Sequence, residues 1–341
     1  MFKVKNFADT FRLFCVLSGA VMGAGFLSGG ELVAFFGGVN FFCLAIAASV
    51  FFIGFSFVHT ENDCLTKSVF MIAELVFSIA MLSGLDEIAG YAGVKNGVPI
   101  ASILSLFIFH FLFSKDIKKV ERVNCVLIPL SSVITLSAAL FAPAQNIAVK
   151  GTSAGGVINA LLYACMNLFV ALPAAKIAKR GKSKKANSAA ALCFSVFFAL
   201  FAFIVLRVSP KTALPLIDIS YGTAFYPLLI AAIFIGSFTS LICYLYPLKT
   251  FIAEKTAKNR RGAYCFLLYA LLLVLSRAGI AAIIKYCYPL VGALGLFSIV
   301  KSFFGIKGKA KGDTMETRSA LCRKEKRIKS KNLPKKNTAT I

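Results

Sequence analysis

Apolar runs of membrane-spanning length succeed one another along almost the whole chain, and they leave little room for any other architecture. Ten such runs can be read, over residues 11–36, 39–58, 68–91, 98–114, 123–142, 155–175, 187–207, 222–246, 263–284 and 286–304. A helix needs roughly 20 apolar residues to cross a hydrocarbon core of about 30 Å. The fourth and tenth runs are the shortest, so nine or eleven spans also fit the pattern. The runs are continuous, without the two-residue alternation of a membrane β-barrel, so they predict helices. A 58% hydrophobic composition and a mean hydropathy of +0.81 exclude a water-soluble domain.

The formal net charge of +24 could suggest nucleic-acid binding, but its distribution argues against that. With ten spans, only Lys95, Lys150, Arg207, Lys211, Arg277 and Lys285 of the 38 basic residues fall on the side opposite the N-terminus. Clusters over 115–122, 176–185 and 249–261 all return to the N-terminal side. Basic loops stay in the cytoplasm, so both termini are expected there. Residues 305–341 carry 12 basic and 3 acidic residues and no apolar periodicity. They predict a disordered cytoplasmic tail beside anionic lipid headgroups, following a membrane domain over 1–304. No folded nucleic-acid module is legible, and no feature specifies an oligomer. The ten cysteines are scattered without a CxxC pair or metal-ligand spacing, and read as small buried hydrophobes. His59, Glu61, Asp63 and Cys64 share one short loop that reads as a solvated turn.

The first run interrupts itself. Its centre reads Val21-Met-Gly23-Ala-Gly25, where an intact span would gain most from Leu or Val. Each Gly costs about 1 kcal/mol of helix propensity relative to Ala. Unwound backbone at that depth persists only where protein or a water-filled cavity satisfies it. Broken helices of this kind hold substrate and ion in many transporters. The glycines also fall four apart, at 19 and 23 and at 25 and 29, which equally fits close packing of two membrane helices.

Ten helices divide into halves of five, about 11–142 and 155–304, and an odd number per half makes the halves inverted. An inverted repeat predicts a second break in the sixth run, where Asn167 lies near the centre and Pro173 follows. In the eighth run Gly236-Ser237-Phe-Thr239-Ser240 puts three hydroxyls into four residues, a set suited to Na⁺ beside free carbonyls of the first span. Hydroxyls in membrane helices also commonly bond their own backbone. Carboxyls at helix centres are costly, at about 2.5–3.5 kcal/mol each. Glu31, beyond the break, is therefore expected in a vestibule or proton-linked role. Glu74 is expected to pair with a basic residue, while Asp86, Glu87 and His110 are expected near an interface.

Val21-Met-Gly23-Ala-Gly25-Phe-Leu-Ser-Gly29-Gly-Glu31 resembles the first-helix signature of the YkvI family of bacterial membrane proteins. Tyr163-Ala-Cys-Met-Asn167-Leu, Val123-Asn-Cys-Val-Leu-Ile-Pro129-Leu and Leu275-Ser-Arg-Ala-Gly279 add to the likeness. So does Tyr288-Pro289-Leu-Val-Gly292-Ala-Leu-Gly295. The resemblance implies the amino acid–polyamine–cation superfamily, an all-α polytopic protein with a LeuT-like five-plus-five inverted repeat, and a bacterial inner membrane. It also implies a sodium site from the carbonyls of Gly19, Met22 and Gly236 and the hydroxyls of Thr239 and Ser240. Substrate would then meet Gly23, Ala24 and Gly25, whose free amides suit a carboxylate, together with Tyr163 and Asn167.

These features point to a secondary transporter of an amino acid or related amine or carboxylate, driven by Na⁺ or H⁺ and needing no other cofactor. A nutrient sensor on the same scaffold is the alternative. An enzyme is disfavoured, since no paired carboxylates, His cluster or nucleophile–base pair shares one depth.

Overall fold

In the computed structural model, residues 2–57, 64–94, 98–113, 117–142, 153–179, 182–208, 212 and 214–309 are described. The turn over residues 59–63 and the tail beyond Lys309 lie outside them. Every regular element among the described residues is helical. They are α1 (Phe2–Val21), α2 (Ala24–Leu27), α3 (Gly30–Phe36), α4 (Phe41–Phe57), α5 (Cys64–Tyr91) and α6 (Ile100–Ile108). There follow α7 (Ile117–Phe141), α8 (Ala154–Ala178), α9 (Lys184–Leu206), α10 (Pro215–Ser220), α11 (Tyr226–Lys255), α12 (Arg261–Leu275), α13 (Ile280–Ala282) and α14 (Tyr288–Lys309). A π-helical turn, Phe109–Phe113, extends α6, and another, Ile283–Cys287, joins α13 to α14. The chain divides into compact units over 1–299 and 300–341, and the account below concerns the first.

The predicted apolar runs fall on helical segments, but the ninth, 263–284, is interrupted at Gly279 (φ 84°), so the last span starts at Ile280 and not at 286. By length and composition seven helices among the described residues could cross a membrane. The number rises to eight when α3 and α4, bent by 112°, are taken as one span. The difference from ten has local causes. The break divides the first run into α1, α2 and α3, α4 has 17 residues, and the fourth run yields only the short apolar stretch Ile100–Leu112. The bend between α3 and α4 follows Gly37, whose φ of 62° lies in the left-handed region that glycine tolerates.

The expected second break does not occur: α8 runs without interruption from Ala154 to Ala178. Asn167 donates its amide to the Tyr163 carbonyl one turn back (3.2 Å), a bond that an intact helix accommodates. Pro173 removes one donor, but the helix continues through it.

The most enclosed span is α11, which packs against α5, α7 and α1; α4 packs against α8 and α9. By contrast α12 turns Phe266, Leu267 and Val274 outward, as a lipid-facing helix would. The core between them is rich in phenylalanine. Phe51 meets Phe194 and Phe198 edge-on at centroid distances of 5.2 and 4.9 Å, joining α4 to α9. Cysteines among the described residues are all free, most of them buried as expected.

The polar residues near helix ends find local partners. Asp86 accepts from the Ser102 hydroxyl (2.6 Å) and amide (3.1 Å), tying α5 to α6. His110 lies 3.3 Å from the Tyr269 hydroxyl. At the end of α8, Lys179 donates to the Phe55 carbonyl at 2.6 Å. Burial pushes its ammonium from an ordinary 10.5 down to about 8. Above that value the folded chain has released a proton that the unfolded chain still holds. Stability is therefore expected to rise with pH from about 8 towards 10.5. Melting temperatures of the purified protein across that range should show the slope, and Lys179→Met should remove it.

Candidate functional site

The break in the first run is built from backbone that changes direction twice. At the end of α1 the Met22 amide still bonds Ser18 O (2.7 Å), but the Gly23 amide turns to Val21 O (3.0 Å). Gly23 itself is extended, with φ −81° and ψ −169°, and α2 starts afresh as the Leu27 amide bonds Gly23 O (3.0 Å). In an unbroken helix the carbonyls of Gly19 and Ala20 would accept from residues 23 and 24. Here α11 provides the substitutes. Ser240 Oγ donates to Gly19 O at 2.6 Å, and the Tyr244 hydroxyl donates to Ala20 O. Two hydroxyls one turn apart on α11 thus replace two lost backbone donors, which lets the break persist in an apolar interior.

The five residues expected around an ion come together at this junction. Gly19 and Ser240 are hydrogen-bonded, and the Thr239 hydroxyl donates to Gly236 O (2.8 Å). A Cβ on Gly236 would stand 3.0 Å from the Met22 carbonyl oxygen and overlap Leu27, so these backbones touch. The Thr239 bond lies within α11, and the Ser237 hydroxyl likewise bonds its own helix, at Ile233 O (2.6 Å). Each donated hydroxyl proton points at a carbonyl, leaving oxygen lone pairs that could face a cation. Among the described residues no group of three or more His, Cys, Asp or Glu could hold a metal ion.

The residues expected to meet solute are arranged differently from the expectation. Gly23 lies against Met81 of α5, and Ala24 against Gly84. Gly25 is covered by Glu31, which folds back from α3 so that a Cβ at Gly25 would overlap its carboxyl. Beside Gly25, the place expected for a solute carboxylate holds the protein's own carboxyl. Asn167 spends its amide on Tyr163 O, whereas the Tyr163 ring sits 5.3 Å from both Phe35 and Phe36. Phe35 lies one turn beyond Glu31, so α3 presents carboxyl and ring on one face.

Glu31, Tyr163 and Tyr288 form the core of the arrangement. Glu31 is 2% exposed and both tyrosines are fully buried. Neither Glu31 Oε2 nor either phenol oxygen makes a hydrogen bond of good geometry, although the Tyr288 phenol interacts with the Glu31 carboxyl and the Tyr163 phenol with Asn167. They lie within electrostatic reach of one another and of Tyr244. Phe77 holds the cluster in place, stacked on Tyr288 (4.6 Å, 2°) and edge-on to Tyr244 (5.6 Å). Buried polar groups are fully paired in most proteins, so a buried cluster this loosely paired has hydrogen-bonding capacity left for a ligand. A cavity of about 420 Å³ adjoins them. Its lining includes Gly30, Leu162 and Pro289, the sequence neighbours of Glu31, Tyr163 and Tyr288, and Lys285 also lines it.

Sequence reasoning identified Glu31 and Tyr163 but missed Tyr244 and Tyr288. The hydroxyls of tyrosines in apolar runs leave no mark on hydropathy. The one available signal was that Tyr244 lies four residues, one helical turn, after Ser240. The chain matches no known protein family, and no curated protein matches it either.

Proposed function

We propose that this protein is a secondary transporter that binds a small amine-bearing solute, an amino acid or a related amine, beside the broken first helix. The observation that carries this reading is the buried, loosely paired Glu31–Tyr163–Tyr288 cluster, whose sequence neighbours Gly30, Leu162 and Pro289 line the 420 Å³ cavity. That volume is within the range of small-molecule sites, and a carboxyl with an unpartnered oxygen suits an ammonium group. The two phenols suit the remaining polar atoms of such a solute. The α1–α11 junction supports ion coupling through Gly19, Met22, Gly236, Thr239 and Ser240. In this reading the ten apolar runs are ten spans in two inverted halves, with both termini in the cytoplasm of a bacterial cell. Solute passes by rocking one helix group against the other. The break in the first run has no counterpart in α8, so the two halves do not share it.

Counterflow in liposomes, with labelled amino acids and amines offered one at a time, tests transport. Accelerated exchange of at least one solute is expected, while binding without exchange would favour a nutrient sensor. Ser240→Ala removes the donor to Gly19 O and should lower stability by about 1 kcal/mol. If exchange depends on Na⁺, that variant and Thr239→Ala should weaken the dependence. Unchanged Na⁺ dependence in both would remove the ion site from the α1–α11 junction.

A further inference from the structure

Glu74, on α5, is expected from sequence to pair with a basic residue, and it does not. It is 0% exposed, and neither carboxyl oxygen has a hydrogen-bond partner. The ion pair found among the described residues is Lys182–Glu121, at 3.2 Å, elsewhere in the fold. The titratable groups that face Glu74 are Cys243 and Tyr244 of α11. Asn124 of α7 is a neutral amide on the far side of Cys243. It donates to Cys243 Sγ (3.4 Å) through the nitrogen that also lies against Gly19, and leaves its own oxygen unpartnered. Among the described residues no charged group from the other elements around α5 interacts with Glu74.

The surroundings give this carboxyl a direction. Phe70, Glu74, Phe77 and Met81 follow one another at helical spacing along one face of α5. Phe70 stacks on Phe169 of α8 at 4.1 Å and closes one end. At the other end Phe77 stacks on Tyr288 beside Glu31, and Met81 meets Gly23 at the break. Between the two carboxyls stands Tyr244, within electrostatic reach of both. An isolated carboxylate in such a place bears the full cost of desolvation, which binding a proton or a monovalent cation removes. With neutral Cys243 and Tyr244 around it, Asn124 beyond Cys243 and no multidentate oxygen cage, a proton is the ligand that fits.

We propose that Glu74 is a proton-binding site, one of two carboxyl stations, with Glu31, on either side of Tyr244. The inference that its proton moves with solute rests on the transport reading above, whereas the proton site itself does not.

The test is infrared difference spectroscopy of the full chain in liposomes, titrated between acid and alkaline pH. The wild type is expected to lose a carboxylic-acid carbonyl stretch on alkalinisation and regain it on return. Glu74→Gln should lack that band, and Glu74→Asp should shift it, which a merely structural role would not do. Identical spectra in wild type and Glu74→Gln would overturn the proposal. So would displacement of the band by NaCl, but not choline chloride, at constant pH, since that marks a cation site. Failure of counterflow with the band intact would count against transport alone. Solute exchange without the band would count against Glu74 alone.

Discussion

Glu31→Gln is expected to lower affinity for solute on the order of 10- to 150-fold while leaving the fold intact. The variant keeps the shape of the side chain that covers Gly25 but removes its charge. Hydrogen bonds to charged groups contribute about 1.5–3 kcal/mol, and that sets the expected loss. Stability without solute should stay level or rise, because the carboxyl is buried with Oε2 unpartnered and the amide is less costly to bury. Titration calorimetry on the solute found by screening would measure the affinity, and melting without solute would measure the fold. A general packing defect would show the opposite pattern, with lower stability and unchanged affinity per folded molecule.

Gly295→Leu is expected to be the most damaging of the simple glycine substitutions. A Cβ at Gly295 would stand 2.7 Å from Cys165 O, and one at Gly292 would stand 2.8 Å from Leu162 O. Both obstacles are backbone of α8, which cannot rotate aside as a side chain can. The two glycines allow α14 to lie directly on α8, beside the turn that carries Tyr163. Overpacking of this kind costs about 1–3 kcal/mol, and rigid backbone argues for the upper end. That exceeds the roughly 1 kcal/mol of helix propensity that replacing glycine recovers. Gly262→Ala, where a Cβ would meet nothing within 4 Å, is the matched control and should be neutral or slightly stabilising. Melting curves of the three proteins in the same detergent would separate the cases. Tyr163 is displaced along with α8, so Gly295→Leu should also weaken solute binding in whatever fraction remains folded.

Much of this arrangement was legible because membrane burial makes departures from apolarity conspicuous. Two glycines flanking Ala24 in the middle of an apolar run announced the break. Hydroxyls at 239 and 240 announced the helix that would lie against it. Helical spacing then placed Tyr244 beside Ser240, but its phenol carries no hydropathy signal, and it was not seen. Asn167 produced a wrong expectation because a polar amide at mid-span has two resolutions. It can sit at a break, or it can bond its own helix one turn back, and the sequence does not distinguish them. Glu74 was misread for a related reason, since the usual cost of a buried charge suggested a basic partner that the fold does not bring. Gly25 was expected to leave space for a solute carboxylate, yet Glu31 is long enough to fold back over it. That contact depends on the turn at Gly29, with φ 86°, and is a property of three dimensions.

Binding of a small amine-bearing solute by the cluster beside the broken helix is open to a simple test. The most direct measurement is thermal stability of the purified protein against single amino acids and amines, in Na⁺ and in choline, with Glu31→Gln alongside. Ligand that binds only the folded state raises stability by mass action, by about 2.7 kcal/mol at a hundredfold excess over Kd. At least one amine-bearing compound is expected to stabilise the wild type, and Glu31→Gln is expected to lose most of that shift. Stabilisation of equal size in both proteins, or stabilisation by carboxylates that lack an amine, would contradict amine binding at the cluster.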